Sequence, residues 1–425
     1  MINKRGATVN IAKGIGRNVW LCLIDFGKNG LANHAAAGAY GFLLSLTPAM
    51  LVAASVFSAI FPHLKTADVL GEIVFLGFSQ NAFDIEGTII RFLTNFNTGL
   101  VGVFSLASLF WAAIVLAFSM QRGLNSIFTD KKPINTLKSW LIPLCLELTV
   151  IAVVIIFALS AYLTHAFMKR WLFSAFCFVG LGVLTFGVYC AVPNSPPKWK
   201  SALFGATLCI VSYAFILVFP NLFINHERYY LIYGRLGGLI SLLARVYFFF
   251  LFFFIGAQFA FTVEFLDVLL FTKLIAVNMD EKGWKKPFFI ERLLFSSVEG
   301  RLWKYRCSYK EGEIIFLKGE QSHTIFYILS GEVGVYLTAD NKVASIMEHN
   351  FFGEIGYVLS SIRSAATKAE TDLVVMALPP ALFNAALQID KNTGNKIIET
   401  LSKRLQDMND KLLKLDGKGN EAQLS

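Results

Sequence analysis

Long apolar stretches dominate the first two thirds of the chain. Residues 29–64 carry no Asp, Glu, Lys or Arg, and similar stretches recur further along. A helix needs about 20 apolar residues to cross a bilayer, so each stretch is long enough for one crossing. We predict a first membrane-spanning helix within 29–64, kinked at Pro48. Five more are predicted near 100–120, 140–164, 171–192, 201–224 and 236–263.

The pattern changes after about residue 287, where charges become frequent and apolar residues alternate with polar ones. Period-two alternation is typical of half-buried strands. It predicts strands at 313–317, 325–329, 332–337 and 373–377. Glycines lie near their turns, namely Gly312, Gly319, Gly331 and Gly353. Residues 395–414 instead repeat apolar side chains at helical spacing, so we predict a small β roll closed by a C-terminal helix.

Composition supports a membrane protein. Hydrophobic residues make up 55% of the chain and charged residues 16%, with a mean hydropathy of +0.58. Soluble domains carry roughly 25% charged residues. The net charge of +9 does not indicate a nucleic-acid partner, because no Lys/Arg-rich run with interleaved aromatics is present. The cations lie at the ends of apolar segments, which is typical of cytoplasmic loops.

The distribution of cations predicts the orientation. Cations cluster in the N-terminal arm and in 122–138, 198–200 and 273–286, whereas 62–98 is poor in them. We therefore expect a multi-pass protein of the inner (cytoplasmic) membrane with both termini cytoplasmic and 62–98 outside, although Lys169-Arg170 is an exception. The arm has helical spacing with a basic side, which favours a helix lying on the inner membrane surface over a simple cytosolic lead-in helix.

These patterns define the fold class and the domains. The predicted fold is an α-helical polytopic membrane domain of six transmembrane helices, followed by a small β roll with a C-terminal lid helix. The predicted segments are an amphipathic arm 1–30, a membrane domain 31–272, a linker 273–300, a roll domain 301–416 and a tail 417–425.

Several kinds of chemistry are not expected. No two of the six cysteines form a CxxC pair, and the six histidines show no metal-ligand spacing, so neither disulfides nor a metal site is predicted. We find no HExxH, GxSxG or phosphate-binding P-loop, and therefore expect no catalytic residues and no enzyme. About ten residues follow the lid helix, too few for a DNA-binding helix-turn-helix.

One polar cluster near the C-terminus indicates anion binding. Gly353 and Glu354 are followed nine residues later by Arg363, Ser364 and Ala365. Glycine lets backbone approach a ligand closely, and a short helix over 355–360 would direct its free N–H groups at an anion. Arginine offers a planar fork to phosphate oxygens, serine adds a donor, and glutamate can accept from a ribose hydroxyl.

Residues 287–415 resemble the cyclic nucleotide-binding domain, through the glycine turns, the segment Phe326 to Val333 and the Gly-Glu/Arg-Ser-Ala cluster. The resemblance implies cAMP or cGMP as a regulatory ligand, with helix 394–414 as a lid over the base. The expected binding residues are Gly353, Glu354, Ile355, Arg363, Ser364 and Ala365. The turn at 320–323 lacks the Asp often found there, and the sequence does not discriminate adenine from guanine.

Residues 15–272 resemble the YihY/BrkB family of bacterial inner-membrane proteins. The resemblance is carried by Leu44-Ser45-Leu46-Thr47-Pro48, Val192-Pro193-Asn194 and Tyr233-Gly234-Arg235-Leu236-Gly237-Gly238. It implies a membrane protein of the kind described as transporters or virulence-related proteins. An older ribonuclease label for such proteins gains no support from these residues.

Two functions remain open. The first is a transporter or channel for an unknown solute, gated by the nucleotide domain, and Glu147 and Arg245 would then form a pair or line a polar path. The second is a membrane-anchored receptor or scaffold without transport, with a degenerate nucleotide site as a further alternative. Glu147 and Arg245 would then lie near the membrane surface. A homo-oligomer is suggested only by analogy with other gated membrane proteins.

Overall fold

The chain folds into two compact units. The computed structural model describes residues 2–60, 100–128, 170–218, 236–278, 294–295, 300–338, 341–358 and 361–389, and the positions 394–395, 398–399, 402 and 406. One unit, here the helical unit, comprises Val19–Glu264. The other, here the roll unit, comprises Met1–Asn18 together with Phe265–Ser425.

The helical unit contains long helices rich in apolar residues. The first helix begins in the roll unit and ends in the helical unit, which confirms that the N-terminal arm is helical. The helices are α1 (Ile2–Lys28), α2 (Leu31–Ile60), α3 (Leu100–Ile127), α4 (Arg170–Ala191), α5 (Trp199–Val218) and α6 (Leu236–Glu264).

Five of the six predicted spans coincide with the helices α2 to α6. The predicted span 140–164 and the predicted outer segment 62–98 lie outside the described residues. Within the described part of the chain, two helical stretches are long and apolar enough to cross a membrane, Trp199–Leu217 and Leu243–Glu264.

Helix α6 lies at the centre of the described helical unit, where it packs against α2, α3 and α5. Its Phe250, Phe253 and Phe254 are at most 3% exposed. The hydroxyl of the buried Tyr189 in α4 donates a hydrogen bond to the Phe253 carbonyl at 2.5 Å. These phenylalanines of α6 therefore form part of the core of the helical unit.

Helices α5 and α6 approach each other closely at two glycines. A Cβ added to Gly205 would lie 2.4 Å from the Gly256 carbonyl oxygen, and one added to Gly256 would lie 2.5 Å from the Gly205 carbonyl oxygen. The two backbones thus meet where no side chain intervenes, which is the packing that small residues permit between membrane helices. Gly180 differs, because a Cβ there would meet nothing within 4 Å.

This contact predicts a position-dependent cost of adding one methyl group. Gly205→Ala should destabilise the helical unit by about 1–3 kcal/mol, because the facing backbone cannot move aside as a side chain can. The expected result is a melting temperature about 2–10 °C lower in detergent. Gly180→Ala is the matched control and should melt like the wild type. Equal melting temperatures for both variants would show that α5 and α6 do not meet at this point.

The roll unit begins with a helix and continues as a series of short strands. Its helical elements are α7 (Leu266–Asn278), a 3₁₀ helix (Gly300–Tyr305), α8 (Glu354–Val358) and α9 (Pro380–Ile389). The strands are β1 (Arg306–Tyr309), β2 (Ile314–Phe316), β3 (Ile325–Ser330), β4 (Val333–Thr338), β5 (Asn341–Ile346), β6 (Phe351–Phe352), β7 (Ala366–Ala369) and β8 (Leu373–Leu378).

The strands form two antiparallel four-stranded sheets, in the orders β1-β8-β3-β6 and β2-β7-β4-β5. Their shared core includes Phe316, Phe326 and Phe352, whose stacked rings have centroids 5.0–6.1 Å apart. Each aromatic side chain buries a large apolar area, so this stack contributes to the stability of a roll built from short strands.

The predicted β roll is confirmed, and the four predicted strands correspond to β2, β3, β4 and β8. The four turn glycines all have positive φ, between 76° and 97°. Strands β1, β5, β6 and β7 and helix α9 were not predicted. The predicted lid helix 394–414 lies mostly outside the described residues, and its six described positions are helical.

Helix α7 is an integral part of the roll unit. Its Phe271 is fully buried and lies edge-on to Tyr327 of β3 and Phe351 of β6, at centroid distances of 6.1 and 6.4 Å. The helix also packs against α9. Residues 273–278, which were predicted from the sequence to belong to a linker, therefore lie in a helix that contacts the roll.

Candidate functional site

The centre of the candidate site is a sharp turn between β6 and α8. Gly353 there has φ +76°, in the left-handed region that favours glycine. A Cβ at this position would lie 2.7 Å from a terminal guanidinium nitrogen of Arg363. Glycine is thus required both by the backbone conformation and by the close approach of the arginine.

The Arg363 side chain is buried at 2% exposure and held by hydrogen bonds. It donates to the Gly353 carbonyl at 2.5 Å, to the Thr324 carbonyl at 2.6 Å and to the Ser322 hydroxyl at 3.2 Å. Its guanidinium carbon lies 4.2 Å from the centroid of the Phe316 ring. These contacts fix the plane of the guanidinium inside the roll.

One donor of this arginine remains unused. The buried Nε of Arg363 has no hydrogen-bond partner among the described residues. A buried polar group without a partner costs free energy, and a cation costs more than a neutral group. The structure therefore presents a fixed, buried N–H that can donate a hydrogen bond to an anionic oxygen.

Acidic groups lie near the arginine. Glu354, the first residue of α8, is 3% exposed, and Glu320 follows the turn after β2. Burial lowers the pKa of the Arg363 guanidinium, and the carboxylates of Glu320 and Glu354 act in the opposite direction. An arginine pKa starts so far above neutrality that Arg363 remains a cation.

The loop after β2 is attached to the backbone of Arg363. The Gly319 amide donates to the Arg363 carbonyl at 2.8 Å, and the Arg363 amide donates to the Glu320 carbonyl at 3.0 Å. Ser322 of the same loop binds the guanidinium. This serine provides a polar contact in the turn that lacks the expected Asp.

The remaining predicted binding residues surround this centre in different environments. Ile355 and Ala365 are half-buried, whereas the Ser364 side chain is exposed next to Arg363. Helix α8 confirms the short helix predicted here. The structure thus brings Gly353 and Arg363 into contact and places Glu354 close to them.

Thr367 was not among the residues predicted from the sequence. This residue of β7 is 3% exposed, and its hydroxyl has no hydrogen-bond partner among the described residues. It pairs in register with Phe316, the residue on whose ring Arg363 stacks. Two buried polar groups without a partner among the described residues, the Arg363 Nε and the Thr367 hydroxyl, therefore belong to residues that both adjoin Phe316. A lone threonine four residues after the arginine gave no distinguishing signal in the sequence.

A chain of aromatic rings connects the candidate site to α7. Phe271 of α7 contacts Phe351, which lies two residues before Gly353. Phe351 contacts Phe383 of α9 at 5.9 Å, and Phe383 contacts Tyr357 of α8 at 6.0 Å. The Tyr357 hydroxyl also donates to Asn384 at 2.6 Å. A displacement of α8 would therefore change the packing of side chains against α7.

The two charged candidates of the membrane part are placed unequally. Arg245 lies in α6 and is half-buried, whereas Glu147 lies outside the described residues. Among the described residues, no group of three or more His, Cys, Asp or Glu side chains could hold a metal ion.

Comparison with known proteins identifies both parts of the chain. Residues 23–267, more than half of the chain, match the family model described as virulence factor BrkB. The chain belongs to the BrkB family. Residues 306–390 match the model of the cyclic nucleotide-binding domain. This BrkB-family chain therefore combines a helical membrane part with a nucleotide-binding type of roll.

Relatives support the same assignment. A UPF0761 membrane protein of Haemophilus influenzae is 27% identical over 261 residues, which cover 56% of this chain and 92% of the relative. One from Aggregatibacter aphrophilus is 30% identical over 258 residues, 55% of this chain and 87% of the relative. This BrkB-family chain is thus a membrane protein. Among solved structures, a catabolite activator protein of Thermus thermophilus is 23% identical, with a TM-score of 0.24 and coverage of 26% of this chain and 54% of that chain.

Proposed function

We propose that this protein is a non-enzymatic, multi-pass protein of the inner membrane whose cytoplasmic roll binds cAMP or cGMP and thereby regulates the membrane part. The leading form of this proposal is a transporter or channel for an unknown solute. The observation that supports nucleotide binding is the buried Arg363, whose Nε lacks a partner next to the glycine turn.

The proposed ligand matches the groups that the site leaves unsatisfied. Arg363 is buried among carbonyl and hydroxyl acceptors, which satisfy hydrogen bonds without neutralising the charge. A cyclic phosphate would supply an acceptor for Nε and a negative charge in direct contact with the guanidinium, in a charge-assisted hydrogen bond. Ser364 would donate a further bond to the phosphate, and Glu354 would accept from the ribose hydroxyl.

The proposed coupling runs through α7. Helix α6 ends at Glu264 and α7 begins at Leu266, so a single residue separates a membrane-type helix from a helix of the roll unit. Nucleotide binding would shift α8 and the turn at Gly353, and the aromatic chain from Tyr357 to Phe271 would transmit that shift to α7. A coupling free energy of about 1–3 kcal/mol corresponds to a 5- to 150-fold change in an equilibrium.

A second candidate function is a membrane-anchored receptor or scaffold without a transport path. The described core of the helical unit favours it, because Phe250, Phe253 and Phe254 fill the space around α6. The Gly205–Gly256 contact brings backbones together without an intervening gap. Under the transport proposal, Arg245 and Glu147 would line a polar path in the remaining space.

Two measurements on the full chain in lipid nanodiscs and liposomes test the proposal. Calorimetry with a panel of cyclic and linear nucleotides should show binding of cAMP or cGMP, and absence of binding would support a degenerate site. Flux of candidate ions and solutes into liposomes should change when the bound nucleotide is added. Binding without any nucleotide-dependent flux would favour the receptor or scaffold.

A further inference from the structure

The 3₁₀ helix before β1 presents an exposed group of cations around a tryptophan. Trp303 is 58% exposed, and the side chains of Arg301 and Lys304 are 57% and 53% exposed. The Arg306 guanidinium carbon lies 4.5 Å from the centroid of the Trp303 ring. We name Arg301, Trp303, Lys304 and Arg306 the cationic face.

The cationic face is fixed to the start of α7. Asp267 accepts from Lys304 at 2.5 Å and forms an ion pair with Arg301 at 3.2 Å. Both cations keep more than half of their side-chain surface exposed in spite of this pairing. One carboxylate therefore positions two cations without covering them, and the face keeps three positive charges against one negative charge.

Chain connectivity limits the distance between this face and the membrane. Asp267 follows three residues after Glu264, the last residue of a helix that is long and apolar enough to cross a bilayer. A trans peptide chain extends by at most about 3.6 Å per residue, so Asp267 lies within about 11 Å of Glu264. The headgroup region of one leaflet is roughly 5–8 Å thick. The cations that bind Asp267 are thus within reach of lipid headgroups.

The acidic side chains of the adjoining sheet lie away from the cationic face. Strand β1 leads away from the cationic face, from Arg306 to Tyr309, and pairs with β8. The acidic residues at that end of the sheet, Glu311, Glu313 and Asp372, follow Tyr309 or precede its partner Leu373. These three acidic groups, with the cation Lys310 among them, therefore lie at the opposite end of β1 from the cationic face.

We propose that the cationic face binds the anionic phospholipid headgroups of the bilayer that α6 enters. Lysine and arginine side chains near a membrane surface are attracted to anionic lipids over roughly a Debye length. Tryptophan is enriched at the membrane–water interface because its ring is amphipathic. A neutral bilayer also has an interface in which the ring can lie, but it does not attract the three cations. The face therefore distinguishes anionic from zwitterionic surfaces.

Fluorescence of the full chain in nanodiscs tests this proposal. The difference spectrum between wild type and Trp303→Phe isolates the emission of Trp303 from that of the other tryptophans. In discs that contain phosphatidylglycerol, this emission should shift to shorter wavelength, and bromine-labelled lipids should quench it at least twofold more than in pure phosphatidylcholine discs. High salt should abolish the difference between the two disc types.

Charge variants that spare the Asp267 ion pairs sharpen the test. Arg306→Gln removes one cation of the face and should reduce the quenching of Trp303 in anionic discs. Lys318→Gln removes an exposed cation elsewhere on the roll and should leave it unchanged. Equal quenching in neutral and anionic discs, or equal effects of the two variants, would overturn the proposal.

Discussion

Arg363→Gln is expected to weaken cyclic nucleotide binding at least about tenfold. The wild-type guanidinium offers a buried, unpartnered N–H and a positive charge, and a charge-assisted hydrogen bond contributes roughly 1.5–3 kcal/mol. Since about 1.4 kcal/mol corresponds to a factor of ten in affinity, loss of one such bond suffices for this effect. Calorimetry of the full chain in nanodiscs measures it directly.

Two control variants separate ligand binding from folding and from general electrostatics. Arg363 also donates to the Gly353 and Thr324 carbonyls, so a thermal melt must show that the roll of the variant is folded. Arg363→Lys keeps the charge but not the planar fork, and it should recover only part of the affinity. Lys368→Gln, an exposed position of β7, removes one charge and should bind like the wild type. Unchanged affinity in a folded Arg363→Gln would refute the assigned site.

Phe271→Ala is expected to abolish most of the nucleotide-dependent response while leaving a nucleotide site that still binds. Phe271 touches Phe351, which lies two residues before the Gly353 turn. Removing its ring opens a cavity between α7 and the roll, at a cost of about 3–5 kcal/mol. The strands that form the binding site keep their own pairing, so binding should persist.

The response can be measured without assuming transport. Limited proteolysis or hydrogen exchange of the helical unit, with and without nucleotide, reports whether the signal crosses from one unit to the other. Leu337→Ala, which truncates a 43% exposed side chain of β4, is the matched control and should respond like the wild type. A full response in Phe271→Ala, with normal nucleotide affinity, would show that coupling does not pass through this ring.

Local patterns predicted some elements of the roll and not others, for a physical reason. β3 and β8 are rich in β-branched and aromatic residues, and their pattern was sufficient. β7 reads Ala-Thr-Lys-Ala and has little preference for a strand, yet it forms one because β2 and β4 pair with it on both sides. Helix α9 starts at Pro380. Proline is favoured at the first position of helices, so this residue was a usable sequence signal for the start of α9.

The residues of the proposed binding site divide in the same way. Gly353 and Arg363 were found from sequence because their residue types are themselves the chemical signal. Ser322 and Thr367 were missed because a single serine or threonine carries no signal until folding places it. Ser322 lies 41 residues from Arg363, and only the loop anchored at Gly319 and Glu320 brings the two together.

The sequence by itself determined the features that depend on one residue or on a local period. These are the apolar segments, the alternation of the roll, the glycines with positive φ and the Gly-Glu/Arg-Ser-Ala cluster. The tertiary structure alone decided which groups meet, because such contacts depend on packing between segments far apart in the chain. It holds Arg363 between two carbonyls with its Nε unused, and it buries Phe271 of α7 against the strand that leads into the site.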